Sequence, residues 1–345
     1  MTDLSANLLL LPFAGARPRL AEPPVLRGTR AAVLGRVEAG PRFSLGEGTL
    51  IRGDGHFVRI GADFWIGDYA TVHIAHDIYP TLIGDRVTVG ANAVVHACIV
   101  ASDCVIEDDV VILDGSVVGE GVVVTAGSIV FPRSQLLRNG IYTGRPAKRV
   151  GEADAAERQR RTEHLRSAAP RLRTPLPPRP LAAGDSVFVA RTARTRGDIV
   201  CGEHSSIWFS CDIDAGPGEV RIGAETNVQD NTIIRAGGAG VTIGPRSVVG
   251  HNVMLEDCTI GTRSLIGIGA TVARGTIVED DVLLAAGART SEGQVLTAGA
   301  LWGSSPARKL AELDDDKKKL ITWTVATYQS YAADYRRLQT APLAL

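Results

Sequence analysis

Aliphatic residues recur with a period of six through two long stretches of the chain. This period matches neither the 3.6-residue turn of a helix nor the two-residue alternation of a half-buried strand. A small residue often follows the aliphatic one, as in Ile60-Gly61 and Val249-Gly250. Such spacing is typical of a solenoid in which each short strand points one aliphatic side chain into a narrow core before the chain turns a corner. The aliphatic positions are Ile60, Ile66, Val72, Ile78, Ile83, Val89, Val95, Val100, Ile106, Ile112, Val118, Val124 and Val130 in the first stretch and Ile222, Val228, Ile234, Ile243, Val249, Leu255, Ile260, Ile266, Val272, Val278 and Leu284 in the second.

The two stretches, residues 51–150 and 213–310, are copies of one pattern. Their offset is 162 residues (222 − 60) before a mid-repeat insertion and 160 residues (243 − 83) after it. Both copies slip by one residue at the same place, after Val95 and after Leu255. Hexapeptide repeats of this kind resemble those of left-handed parallel β-helices. We therefore predict a mainly β protein with two left-handed parallel β-helix domains, formed by a tandem duplication, each followed by an α-helix.

The segments between and after the copies have helical composition. A stretch rich in Ala, Glu and Arg, residues 152–168, predicts a helix that ends at a Pro-rich connection, residues 170–180. The last helix carries aromatic residues that we expect to pack along a coil, with entry of a tyrosine into an active-site mouth as the alternative. These aromatic residues are Trp323, Tyr328, Tyr331 and Tyr335. The predicted segments are residues 1–150 (first β-helix domain), 151–182 (helix and linker), 183–310 (second β-helix domain) and 311–345 (C-terminal helix and tail).

Composition narrows the function classes. Apolar residues make up 45 % of the chain but aromatic residues only 5 %, which suits thin aliphatic cores. The net charge of −1 gives no general case for nucleic-acid binding, and no stretch of 18 apolar residues predicts a membrane span. Five cysteines, an odd number scattered through the repeats, indicate reduced thiols and a cytoplasmic protein. Cys98 and Cys258 match at the 160-residue offset, so we expect both at equivalent core positions.

Histidines are divided between the two copies. His73 and His96 stand in the first copy where Arg235 and Glu256 stand in the second. His251 of the second copy stands where the first has an alanine. Three neutral imidazoles that leave one position open are a usual protein contribution to catalytic zinc. We therefore predict one metal site per chain, located between the halves, and expect Arg235 and Glu256 within ion-pair or water-bridged reach in place of the missing ligands.

Several motifs of the chain resemble those of the gamma-class carbonic anhydrases. The resemblance covers nearly the whole chain twice, and the motifs are specific as a set. It implies coils that assemble side by side, with each metal taking two histidines from one coil and the third from its neighbour. The motifs include Leu50-Ile51-Arg52-Gly53-Asp54, Thr71-Val72-His73, Val95-His96-Ala97-Cys98, Asn227-Val228-Gln229-Asp230 and Val249-Gly250-His251-Asn252.

The resemblance also implies roles for individual residues. His73, His96 and His251 match the metal ligands, and Gln229 matches a glutamine near the metal-bound water. The family's arginine and aspartates near the interface correspond to Arg52, Asp54 and Asp68. The implied metal is zinc or ferrous iron, whose bound hydroxide attacks CO2 or a related small carbonyl compound, a lyase or hydratase reaction. The implied partners are a small-molecule substrate and further copies joined through β-helix faces, without nucleic acid or membrane.

Two other functions fit a hexapeptide-repeat chain. One is an acyltransferase that uses acetyl-CoA and an interface histidine as base, and the other is a non-catalytic assembly scaffold. Bound metal at one equivalent per chain favours the carbonic anhydrase-like interpretation over both. His56, His164 and His204 are expected at corners or on the surface. His76 is expected either to support the site, for example as a proton carrier, or to lie in a surface turn.

Overall fold

The computed structural model describes residues 8–169, 181 and 183–340. The chain divides into two compact units, residues 1–173 and 174–345, which are described separately below. The predicted Pro-rich connection, residues 170–180, lies outside the described residues. The four segment boundaries given above stay a prediction.

The first unit is a parallel β-solenoid built from two sheets. The first sheet contains Leu8–Leu11, Arg19–Leu20, Ala31–Ala39, Leu50–Ile60, Thr71–His73, Thr81–Ile83, Val94–His96, Ile99–Val100, Val111–Ile112, Val117–Val118, Ile129–Val130 and Gln135–Leu136. The second contains Leu26–Arg27, Ser44–Leu45, Trp65–Ile66, Thr88–Val89, Val105–Ile106, Val123–Val124, Gly140–Thr143 and Lys148–Glu152. All of these pairings are parallel except that of Gly140–Thr143 with Lys148–Glu152, which is antiparallel.

The two sheets of this solenoid cover three faces, because the long strand Leu50–Ile60 takes part in two of them. Its first residues pair with Thr71–His73, whereas its last residues pair with Thr81–Ile83, so the first sheet covers two faces. The predicted period-six residues fill the interior, where they are buried, because each two-residue strand points one side chain inward. Ile78 is the exception. It is 58 % exposed because it lies in the loop between Ala75 and Tyr79, where the six-residue period is interrupted.

The second unit repeats this architecture, again with two sheets. One sheet contains Phe188–Val189, Ser206–Ile207, Asn227–Val228, Val248–Val249, Leu265–Ile266, Leu283–Leu284, Ala300–Gly303 and Arg308–Glu312. The other contains Arg194–Cys201, Asp212–Ile222, Ile233–Arg235, Val241–Ile243, Met254–Glu256, Thr259–Ile260, Thr271–Val272, Ile277–Val278 and Val295–Leu296. Every predicted period-six residue of this copy is buried in its core. The mainly β, duplicated hexapeptide solenoid is thus confirmed.

Each solenoid is followed by one helix of the described chain. Helix α1, Ala155–Ser167, confirms the helix predicted over residues 152–168. It begins later than predicted because Lys148–Glu152 is a strand and Asp154 caps the helix, accepting a hydrogen bond from the Glu157 backbone N–H at 2.7 Å. Its one buried residue, Leu165, packs with Val105 and Val123.

Helix α2, Asp315–Thr340, is twice as long as α1 and buries far more side chains. It packs on the strands Phe188–Val189, Ser206–Ile207, Asn227–Val228 and Val248–Val249 of its own unit. Three of the four aromatic residues predicted to pack on the coil, Tyr328, Tyr331 and Tyr335, are buried, whereas Trp323 is 41 % exposed. Within the described residues, neither helix is long and apolar enough to span a membrane.

Candidate metal centre

The first unit brings His73 and His96 together on one face. Parallel pairing of Thr71–His73 with Val94–His96 makes the two histidines direct neighbours in the ladder. Val72 and Val95 point into the core, so the histidines beside them point outward from the same face. His73 is buried and His96 half-buried. The Nδ1 atom of His73 lies 3.3 Å from the Nε2 atom of His96.

Carboxylates behind both rings fix which nitrogens face each other. The Nε2 atom of His73 lies 3.1 Å from Asp54 Oδ1, and the Nδ1 atom of His96 lies 2.6 Å from Asp114 Oδ1. Because an ionised carboxylate only accepts hydrogen bonds, these two nitrogens carry the ring protons of the neutral imidazoles. With both rings neutral in these tautomers, the facing nitrogens both present lone pairs toward the space between the rings.

This pair fits a metal ion. Two nitrogens bound at about 2.0–2.1 Å to a tetrahedral ion are about 3.3 Å apart, which is the separation observed between His73 Nδ1 and His96 Nε2. A carboxylate on the outer nitrogen is also the usual support of a metal-binding histidine, since it fixes the ring orientation and raises the basicity of the ligating atom.

Arg52 supports the same network from behind. Its guanidinium Nη1 lies 3.0 Å from Asp54 Oδ2, and both side chains are fully buried. The other oxygen of Asp54 holds His73. A buried arginine beside a carboxylate favours the ionised acid, so Asp54 stays a hydrogen-bond acceptor for the His73 ring. Two residues predicted near the interface thus meet at the predicted ligand His73.

Asp68 has a different position, at a corner of the first solenoid. Its Oδ1 accepts a hydrogen bond from the Glu47 backbone N–H at 2.8 Å. The second unit repeats this contact, since Asp230 Oδ1 accepts from the Phe209 backbone N–H at 3.0 Å. The 162-residue offset relates the two aspartates and likewise their two donors. The corner bond is therefore a shared structural feature of the duplicated fold.

His251 lies in the second unit, at the corner formed by Gly250-His251-Asn252. Gly250 is required there, because a Cβ atom would approach the backbone nitrogen of Ile268 on the next coil to 2.9 Å. The His251 side chain is buried, with Nδ1 3.0 Å from Asp230 Oδ2. Its Nε2 atom lies 3.2 Å from the hydroxyl of Tyr328 on α2. His251 thus also has a carboxylate beside one ring nitrogen.

Gln229 lies one coil before His251. Its backbone N–H donates to the Val249 carbonyl oxygen at 2.8 Å, next to the His251 corner. Its side-chain Nε2 donates to Asn227 Oδ1 at 3.0 Å, and both side chains are buried. This bond fixes which way the Gln229 amide points, leaving Oε1 on the other side as an acceptor.

The second copy does not form the predicted Arg235–Glu256 ion pair. Arg235 Nη2 lies 3.8 Å from the buried Asp212 carboxylate instead. Its Nη1 donates to the carbonyl oxygens of Asp212 and Ile234 at 2.8 and 3.0 Å. These bonds draw the guanidinium toward the preceding coil, whereas Glu256 lies on the following one. The charged partner of Arg235 in the described chain is therefore Asp212, and a direct ion pair with Glu256 is not formed.

The cysteines do not contribute to the site. Cys98 and Cys258 are buried in the two cores, as predicted, and none of the cysteines forms a disulfide. Burial, reinforced by the charge of Asp114, raises the pKa of the Cys98 thiol, and burial raises that of Cys258 to about 12. Both are therefore neutral thiols near pH 7, whereas a metal ligand must be a thiolate.

The remaining histidines lie as expected. His164 and His204 are exposed, and His56 is half-buried with its Nδ1 accepting from the Phe57 backbone N–H. His76 lies in the loop after His73, with a backbone φ of 46° and Nε2 4.0 Å from Asp77 Oδ1. That turn geometry favours the surface-turn alternative for His76.

Sequence reasoning gave no individual role to four residues around the candidate ligands: Asp114, Asp230, Asn227 and Tyr328. The offset could have found Asp230, because it is the counterpart of Asp68 and precedes the His251 corner by one coil. Asp114 lies 18 residues after His96, one coil further along the chain. Tyr328 was named only as one of several aromatic residues, since no repeat period connects a helix to a particular corner.

Comparison with known proteins agrees with this geometry. A family described as the hexapeptide repeat of succinyl-transferase matches residues 258–288. The chain is 32 % identical over 163 residues to gamma carbonic anhydrase 1, mitochondrial, of Arabidopsis thaliana, covering 45 % of this chain and 59 % of that protein. It is 32 % identical over 160 residues to Protein YrdA of Escherichia coli (strain K12), covering 44 % and 87 %. A crystal structure from Desulfovibrio desulfuricans G20, provisionally called an acetyltransferase, shares the fold at 14 % identity, with a TM-score of 0.60 over 92 % of this chain and 79 % of that one.

Fold and repeats define a hexapeptide-repeat β-solenoid. The chain spans 55–59 % of the length of two Arabidopsis gamma carbonic anhydrases and of a Dictyostelium discoideum relative, and most of the length of YrdA. The chain belongs to the gamma carbonic anhydrase-like family of hexapeptide-repeat proteins.

Proposed function

We propose that this protein is a metal-dependent enzyme of the carbonic anhydrase type with one active site per chain. His73 and His96 of the first unit and His251 of the second are its metal ligands, and the site joins the two units. The observation that carries the proposal is the His73–His96 pair, whose facing ring nitrogens lie 3.3 Å apart with a carboxylate behind each ring. When both rings are neutral, these nitrogens offer two lone pairs to a cation, and two imidazoles alone are too few for a catalytic zinc site.

His251 is the natural third ligand. Asp230 stands beside its Nδ1 as Asp54 and Asp114 stand beside the outer nitrogens of the other two rings. The carboxylate near His76, by comparison, is Asp77 at 4.0 Å, beyond hydrogen-bond distance. The histidine division adds to this, since each copy lacks the ligands that the other keeps. The proposed metal is zinc or ferrous iron, both of which accept imidazole ligands.

A bound ion of this kind supplies Lewis acidity that makes water a nucleophile near pH 7. The chain supplies the rest. Asp54, held by Arg52, orients the His73 ring, and Asp114 orients His96. Gln229, with its amide fixed by Asn227, is proposed to accept a hydrogen bond from the attacking water and so to direct it. Asp68 holds the corner beside Glu47 and contributes to the interface of the site.

The proposed substrate is CO2 with bicarbonate as its hydrated form, or a related small carbonyl compound. CO2 is supported by the relatives that are named carbonic anhydrases. A cytoplasmic location is supported by the cysteines, which are reduced thiols. We also propose that copies of the chain associate through solenoid faces, as the family resemblance implies.

The test is CO2 hydration by the full chain, expressed with supplemented zinc or with iron under anaerobic conditions. Stopped-flow indicator assays should show a rate that rises with metal content and is lost in His96→Ala. The exposed His204 provides a matched control, and His204→Ala should keep both metal and activity. A fully metal-loaded protein without CO2 hydration would contradict the proposed reaction. Binding of acetyl-CoA by that protein would instead favour the acyltransferase alternative.

A further inference from the structure

Helix α2 delivers a tyrosine to the proposed third ligand. Tyr328 is buried, and its hydroxyl lies 3.2 Å from His251 Nε2. The ring is held in place by aromatic neighbours, with Trp208 at a centroid distance of 4.9 Å and Tyr331 at 6.0 Å. Packing against these two rings therefore holds the Tyr328 phenol next to the His251 imidazole.

The direction of this hydrogen bond follows from Asp230. Asp230 Oδ2 lies 3.0 Å from His251 Nδ1 without hydrogen-bond geometry, and its negative charge favours the ring proton on Nδ1. Nε2 then carries the single lone pair in the plane of the ring, and the Tyr328 hydroxyl donates to it. A metal ion bound by His251 at Nε2 needs that same lone pair.

We propose that Tyr328 occupies the metal-binding nitrogen of His251 in the metal-free protein and must release it when metal binds. The hydroxyl thus holds the buried imidazole in its rotamer before loading and lowers the affinity of the site for metal. Tyr328 is a positioning residue in this role, acting through His251. The inference rests on the proposed function, because it takes His251 as a ligand.

The first unit has no corresponding device. Helix α1, Ala155–Ser167, contains no tyrosine, and the ligating nitrogens of His73 and His96 face each other instead. Within the described chain, the hydroxyl of Tyr328 therefore acts on the third ligand alone. The histidine pair of the first unit would thus be ready for metal. Only His251 Nε2 would have to exchange its hydrogen bond from Tyr328 for the metal.

The experiment measures Zn²⁺ affinity of the metal-free full chain by competition with a chromophoric chelator. Tyr328→Phe removes the hydroxyl but keeps the ring against Trp208. The matched control is Tyr335→Phe, which removes a hydroxyl from the same helix and from a ring 5.7 Å from Trp208. Since one net hydrogen bond is lost on loading only in the wild type, Tyr328→Phe should bind Zn²⁺ about 2- to 10-fold more tightly. Tyr335→Phe should match the wild type.

The outcomes separate the two proposals. Unchanged or weaker Zn²⁺ binding by Tyr328→Phe, while the wild type binds one ion, would overturn the role of Tyr328 and leave the metal site standing. A loss of helix packing would also weaken binding, so tighter binding cannot arise from a merely structural effect. No Zn²⁺ binding by any of the three proteins would overturn the proposed function and this inference together.

Discussion

The two units carry the same solenoid but different chemistry on matching faces. In the first, adjacent coils place His73 beside His96, whereas in the second the same ladder positions hold Arg235 beside Glu256. The first unit has Ala91 where the second has His251. Most inward aliphatic residues match between the copies, because the narrow core tolerates little else, although Thr290 stands where the first unit has Val130. The two copies thus share one fold, whereas the three proposed ligands are divided between them.

The polar residues around Arg235 differ from their counterparts in the first unit. Arg235 neutralises Asp212, which is fully buried and stands where the first unit has Leu50. Neither oxygen of the Asp212 carboxylate accepts a hydrogen bond from the described residues. Where the first copy has the proposed metal-binding histidines, the second copy therefore has Arg235 paired with a buried carboxylate in poorer geometry.

The largest expected effect comes from removing a ligand in either unit. His73→Ala, His96→Ala and His251→Ala should each abolish stoichiometric metal retention, because two imidazoles hold the ion too weakly at ordinary concentrations. Elemental analysis after gel filtration measures this directly. His164→Ala, which changes an exposed histidine of α1, is the control. Full metal occupancy in His251→Ala would show that the second unit contributes no ligand.

A smaller effect is expected when only the support of a ligand changes. Asp114→Asn replaces the acceptor at 2.6 Å from His96 Nδ1 with an amide, and metal affinity should fall about 10- to 100-fold. Asp103→Asn is a matched control, since Asp103 is a similarly exposed aspartate that pairs with Arg86. Competition titrations with a chelator compare the two. Equal affinity in both variants would argue against His96 binding metal through Nε2.

The smallest effect concerns stability of the second unit and should leave metal binding unchanged. Arg235→Leu leaves the Asp212 carboxylate buried without its cation, and unfolding in urea should show a loss of about 2 kcal/mol. That is less than the 3–5 kcal/mol typical of a broken buried pair, because the Arg235 side chain is 31 % exposed. Adding Asp212→Leu should restore most of the stability, since leucine occupies the matching position of the first unit. A single variant as stable as the wild type would mean that the pair contributes nothing.

The repeat period predicted the fold well because a stacked coil repeats one local rule. It placed the core residues of both units, whereas the family resemblance, not the period, grouped His73 with His96 on one coil. Ile78 was misplaced because a loop interrupts the period without changing the residue type. The partner of Arg235 depended on carbonyl oxygens of the preceding coil, which no side-chain pattern records. Tyr328 reaches His251 through packing of a 26-residue helix, a long-range contact that spacing alone cannot predict.

The measurement that tests the account most directly is the metal content of the full chain after expression with supplemented zinc or iron. One divided ligand set predicts about one ion per chain, retained by the wild type and by Arg235→Leu alike. Two tightly bound ions per chain would show that the second unit keeps a site of its own, and no bound ion after supplementation would show that the histidines do not form a metal centre. Either result would contradict the proposal that the two copies complete a single site.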